Sequence, residues 1–140
     1  MAQNPRATAG PGPMIEPRLA LVLCADQEVH DLAESWLTEA GFSVVSTSTG
    51  QDAQKQISDR CVELLVLDTL PIYTPGLPSL RKLKDESPGL RVILIPRIDE
   101  RPEVGLARIC GVDTVLLRPV SKAKLLSVVA GFRDSVHQDS

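Results

Sequence analysis

The sequence predicts an α/β fold: one doubly wound, five-stranded parallel sheet of (βα)5 type, with helices on both faces in a three-layer sandwich. Three observations predict it. Short aliphatic runs alternate with amphipathic stretches through residues 18 to 133. The runs lack the polar alternation of half-exposed strands, which marks strands covered on both faces. The stretches between them are long enough to be the helical crossovers that parallel strands require. A chain of 140 residues holds one such domain rather than two.

Leu19–Cys24 (LALVLC) is a continuous apolar run and the first strand. Val29, Leu32, Ala33, Trp36, Leu37 and Ala40 then form one apolar stripe over residues 27 to 40. Gly41 closes that helix as a C-terminal cap. Phe42–Ser46 (FSVVS) is the second strand, and Thr49 caps a weaker helix carrying Ala53 and Ile57. Val62–Asp68 (VELLVLD) is the third strand. Leu77, Leu80 and Leu83 share one face of a third helix, which stops before Pro88.

Arg91–Ile95 (RVILI) is the fourth strand, and residues 102 to 110 form a short helix weakened by Gly105. Thr114–Leu117 is the fifth strand. Ser121 caps the last helix, which turns Leu125, Val128, Val129 and Phe132 inward. Residues 1 to 17 hold four prolines with Gly10 and Gly12 and are expected to be a flexible leader. Gly10–Pro13 is no phosphate loop, because no strand precedes it and no helix follows. Residues 134 to 140 are polar and expected to fray.

Composition excludes several classes. Trp36, Tyr73, Phe42 and Phe132 are the only aromatics, so an aliphatic core is expected, and their scarcity argues against stacking platforms for bases or sugars. A net charge of −3 argues against a nucleic-acid surface. Arg81, Lys82 and Lys84 stand beside Asp85 and Glu86 and read as a solvated helix face. Cys24, Cys61 and Cys110 are odd in number and widely spaced, which suits buried thiols in a reducing cytosol better than disulfides or zinc. His30 and His137 have no partner close in sequence and read as surface residues. No apolar run approaches the roughly 20 residues that span a bilayer, and no signal-peptide core is present. A cytoplasmic chain without membrane contact is expected.

In open parallel sheets, sites lie at the carboxyl ends of the strands near the point where strand order reverses. Three such ends carry chemistry here: Cys24–Ala25–Asp26, Asp68, and Arg118–Pro119. From about residue 18 to 133 the pattern resembles the response-regulator receiver family, whose CheY-like fold shares the flavodoxin-like topology. Asp68 closes an apolar strand as the family's phospho-acceptor does. Gly76–Leu77 follow at the usual distance, Leu77–Lys84 (LPSLRKLK) resembles the third helix, and Gly111–Val120 (GVDTVLLRPV) resembles the segment that ends in the family's Lys-Pro.

The resemblance implies a site that this sequence carries in degenerate form. Receivers place two adjacent carboxylates after the first strand to hold Mg²⁺ beside the phospho-acceptor. Counted back from Gly41 without a gap, those positions are Cys24 and Ala25; with one loop residue deleted they are Ala25 and Asp26. Either register loses at least one acid. Pro96 stands where the switch Ser/Thr belongs, Val115 where the aromatic switch residue belongs, and Arg118 where the lysine belongs. Pro119 is retained, and the family's peptide bond before it is cis. Asp68 with at most Asp26 is a thin metal-ligand set, so weak or absent Mg²⁺ binding is expected and no other cofactor. Arg118 either offsets charge by a bidentate contact or forms a permanent ion pair with Asp68.

These departures favour a stand-alone pseudo-receiver, not an enzyme, that binds a partner protein with weak or no Mg²⁺-dependent phosphorylation. The partner, a histidine kinase or its target, would meet the face made by the fourth helix, fifth strand and fifth helix. The alternative is a phosphorelay response regulator phosphorylated on Asp68. A flavodoxin-like cofactor domain is the third reading. It is disfavoured because Ser46–Gly50 (STSTG) follows the second strand rather than the first and reads as a capped turn.

Overall fold

A computed structural model describes residues 18–97 and 104–139 of the chain. The expected leader over residues 1–17 lies outside them, as does the start of the helix expected from residue 102. The five strands are β1 (Arg18–Leu23), β2 (Phe42–Ser46), β3 (Val62–Leu67), β4 (Arg91–Leu94) and β5 (Thr114–Val115). They alternate with α1 (Gln27–Glu39), α2 (Gly50–Asp59), α3 (Leu80–Glu86), α4 (Val104–Ile109) and α5 (Lys122–Asp139), and a 3₁₀ turn spans Pro71–Tyr73. All pairings are parallel, in the order β2-β1-β3-β4-β5.

Successive strand residues point to opposite faces of a sheet, so a continuous apolar run feeds two cores at once. Leu19, Leu21 and Leu23 of β1, Leu65 and Leu67 of β3, and Val92 and Leu94 of β4 pack beneath α2, α3 and α4. Ala20, Val22, Leu64, Val66 and Ile93 pack on the other side beneath α1 and α5, against Val29, Ala33, Leu37, Leu125 and Val129. The chain therefore crosses from one face to the other between β1 and β3. The carboxyl ends of those two strands flank the crevice where such sheets hold their sites.

Local chemistry sets the boundaries. Gly41 takes a φ of +101°, which ends α1 as the sequence indicated. Thr49 accepts from the Asp52 N–H at 3.0 Å and Ser121 from the Lys124 N–H at 3.0 Å, so both expected caps are present. The third helix begins later than the leucine spacing indicated. Leu77 precedes Pro78, whose ring disfavours helical backbone at the residue before it. Ser79 is the N-cap instead, accepting from Lys82 at 3.2 Å, and Leu77 packs on the core from the loop. β5 is two residues shorter than the expected Thr114–Leu117, leaving Leu117 exposed. The last helix continues to Asp139, past the boundary at residue 133 and through the segment expected to fray. Lys84 leaves the expected solvated face to pair with Asp113 at 2.8 Å; Asp113 also accepts the Val92 N–H at 2.7 Å, tying the turn before β5 to β4.

Gly50, the first residue of α2, has no room for a side chain. A Cβ there would lie 2.4 Å from the Leu77 nitrogen and 2.5 Å from the Pro75 oxygen, both backbone atoms of the loop after β3. Gly105 in α4 has open space around it. Gly50→Ala should therefore destabilise the fold by about 2–3 kcal/mol, since overpacking against backbone cannot be relieved by a rotamer change. Gly105→Ala should be neutral or gain up to about 1 kcal/mol, as an alanine in a helix. Urea unfolding midpoints at equal slope check both.

Candidate functional site

The carboxyl ends of β1, β3 and the segment after β5 converge on Asp26. Its backbone N–H donates to Asp68 Oδ2 at 2.9 Å. Its Oδ1 accepts from the Glu28 and Val29 N–H groups, at 2.9 and 3.4 Å, as the N-cap of α1. Its Oδ2 accepts from Arg118 Nη1 at 2.7 Å. One residue thus links three strand ends, and both of its carboxylate oxygens are committed. The Arg118 guanidinium and the amides of Val29 and Glu28 hold the Asp26 carboxyl below its ordinary value of 3.8, against a smaller opposing effect of desolvation.

Asp68 stands immediately after β3 and is buried, 3% exposed. Besides the Asp26 N–H, it accepts a hydrogen bond from the Thr69 hydroxyl at 3.2 Å. Arg118 does not pair with it. The expected permanent Asp68–Arg118 ion pair is replaced by an Asp26–Arg118 pair, because Asp26 presents a free carboxylate edge from the start of α1. Nor is the contact bidentate: Arg118 Nε and Nη2 are buried without a hydrogen-bond partner. The Arg118–Pro119 peptide is cis, as the family pattern implied.

Cys24 and Ala25 are the first two residues after β1, and Asp26, the third, is the helix cap. Ala25 has no ligand atom. The Cys24 thiol is pushed far above its ordinary value, first by burial and then by the charge of Asp68, with Arg118 pulling the other way. It stays a neutral thiol and makes only a 3.8 Å contact to the Val66 carbonyl. Pro96 is buried just beyond β4, and Val115 is half-buried, opposite Leu94. Gly76 takes a φ of +84° in the loop after β3.

Divalent magnesium takes oxygen ligands in near-ideal octahedral geometry. Among the described strand-end residues the carboxylates are Asp68, each oxygen of which already accepts one protein donor, and Asp26, which is paired with Arg118 and caps α1. The donor set does not fit the ion, and none of the chemistry derived below passes through it.

An open cavity of about 580 Å³ lies beside Asp68, lined also by Cys24, Ala25, His30, Thr47, Thr69 and Tyr73. Sequence reasoning did not place His30, Thr47, Thr69 or Tyr73 at this site. Thr47 follows β2 and is buried with an unpartnered hydroxyl. His30, read as a surface residue, is only 18% exposed and contacts Ser46. Its position at i+4 from the N-cap, on the rim of the crevice, was the available signal. Cys61 is exposed rather than buried, while Cys24 and Cys110 are half-buried and all three thiols are free.

A doubly wound parallel sheet with a buried aspartate at the end of its central strand and a cis Arg-Pro across from it defines a class: a receiver-type signalling domain. The model of the response regulator receiver domain matches residues 22–130, and the chain belongs to that family. It is 26% identical over 112 residues to the transcriptional regulatory protein GltR of Pseudomonas aeruginosa, covering 79% of this chain and 46% of that protein. It is 34% identical over 74 residues to protein-glutamate methylesterase/protein-glutamine glutaminase 2 of Caulobacter vibrioides, covering 52% of this chain and 21% of that protein. The chain thus spans less than half the length of these curated relatives. The receiver domain protein (CheY-like) of Methanospirillum hungatei shares the fold with a TM-score of 0.72 at 19% identity, covering 89% of this chain and all of that one. Among the described residues, no helix is long and apolar enough to cross a membrane.

The Asp26 junction makes a testable demand. Asp26→Ala should unfold at lower urea than wild type at pH 7, because α1 loses its cap and Arg118 the carboxylate it pairs with. Asp26→Asn should fall between, since an amide oxygen still caps the helix. The folded value of Asp26 lies below its unfolded one, so its contribution is complete above the ordinary carboxylate value and fades as pH falls through the folded value. The gap between wild type and Asp26→Ala should therefore narrow as the pH drops below 3.8.

Proposed function

We propose that the chain is a pseudo-receiver: a cytoplasmic, non-enzymatic signalling module that binds a partner protein with weak or no Mg²⁺-dependent phosphorylation of Asp68. The observation that carries this reading is the commitment of Asp26. In phosphoryl transfer to a carboxylate two anions must meet, and a metal bridging them supplies several kcal/mol of transition-state stabilisation. The second acid at these strand ends is held by a helix N-terminus on one oxygen and by Arg118 on the other. Pro96 adds no hydroxyl for a phosphoryl oxygen and no N–H.

The partner, a histidine kinase or its downstream target by family resemblance, would meet the face built from α4, β5 and α5. Leu117, 64% exposed just beyond β5, supports an apolar contact there. A phosphorelay reading retains one favourable observation: Asp68 borders the open cavity, so a small phosphoryl donor can reach it.

The two readings separate on incubation of the chain with acetyl phosphate and Mg²⁺, followed by a phosphate-affinity gel. No shift that depends on Asp68 is expected. A shifted band present in wild type and absent in Asp68→Asn would overturn the proposal.

A further inference from the structure

A second cavity of about 590 Å³ opens between the loop after β3, the start of α3 and the end of α4, with only Thr74 shared with the cavity beside Asp68. Its floor is apolar: Pro71, Ile72, Leu77, Leu80 and Ile109 all line it. Ile109 is 79% exposed and Ile72 is 59% exposed, a large loss for two side chains that each favour burial by about 2 kcal/mol. Isolated exposed hydrophobes are ordinary, but two lining one groove make a contact patch.

Among the described residues that line the groove, the charge has one sign. Arg81 lines the groove, and no acidic residue does so. Arg108 stands one position before Ile109 on α4. Among the described residues neither arginine makes a hydrogen bond or ion pair through its side chain, whereas Lys84 and Arg91 nearby are engaged by Asp113. Arginine beside an apolar floor is the composition of binding hot spots. A second copy of the chain is disfavoured as occupant, since the same groove on that copy would offer Arg81 another arginine and no carboxylate.

We infer that this groove docks an acidic amphipathic segment of a partner protein, its apolar side chains over Ile72 and Ile109 and its carboxylates on Arg81. The inference rests on the partner-binding reading above and deepens it by naming the chemistry of the partner. Apolar contact supplies the affinity, and the arginine fixes orientation and rejects basic segments.

The test uses the full, unphosphorylated chain, labelled with ¹⁵N. The probe is a synthetic helix-forming peptide with Leu on one face and Glu on the other; the control has Lys for Glu. Amide shifts should concentrate at Ile72, Leu77, Arg81, Ile109 and Cys110, and the Lys peptide should bind at least about ten-fold more weakly. Ile109→Lys and Arg81→Glu should each lose about ten-fold in affinity, with the spectrum elsewhere unchanged. Equal binding of both peptides, no binding, or shifts confined to α5 would overturn the inference. So would a wild-type dimer in sedimentation that Ile109→Lys dissociates, because the groove would then be an interface between copies. Repeating the titration with Asp68→Ala separates this from the phosphorylation question. Unchanged binding supports the groove whatever the gel returns, and binding lost in that variant counts against it.

Discussion

Three strand ends of this domain are held together by one aspartate. The Asp26 N–H fixes one oxygen of Asp68, while the two carboxylate oxygens of Asp26 cap α1 and bind Arg118. Each of these contacts alone is modest. Their joint effect is geometric, since the start of α1, the end of β3 and the Arg118–Pro119 turn are placed by a single residue. The arrangement also settles the electrostatics of the crevice. Arg118 is paired with Asp26, and Asp68 is left to backbone and hydroxyl donors.

The chemistry follows from that allocation. A receiver site works by gathering negative charge and then balancing it with a divalent ion. Here the charge is not gathered: a thiol held neutral by burial and an alanine follow β1, and the remaining acid is neutralised in place. The scaffold keeps its parallel sheet and its cis peptide. On the proposed pseudo-receiver reading, specificity would lie on surfaces. The inferred docking groove, with Arg81 and the exposed Ile72 and Ile109, is one such surface.

Most of the fold was legible because both faces of β1, β3 and β4 are covered. Their continuous aliphatic runs have no half-exposed alternative, and Gly41, Thr49 and Ser121 mark the ends of elements by known capping chemistry. Leu77 was misplaced because leucine spacing was weighed without the constraint that Pro78 puts on it. The site residues were legible as a set, since strand ends can be read from strands. Their pairing was not. Sequence brings Asp26, Asp68 and Arg118 to one edge, but only the direction of α1 decides which carboxylate the guanidinium reaches. The groove at Ile109 was invisible for a related reason: its walls come from two segments, 71–81 and 109–110, that are far apart in sequence.

The central claim is that the loss of the acid pair, with Asp26 held by Arg118, removes the metal site. Calorimetric titration of Mg²⁺ tests it most directly, with wild type compared against a Cys24→Asp, Ala25→Asp, Arg118→Lys variant that restores the family's acids and lysine. The account predicts no wild-type binding below millimolar Mg²⁺ and clear binding by the variant in that range. Wild-type binding as tight as that of the variant would contradict it, because Asp68 and Asp26 would then suffice as ligands despite the Arg118 contact.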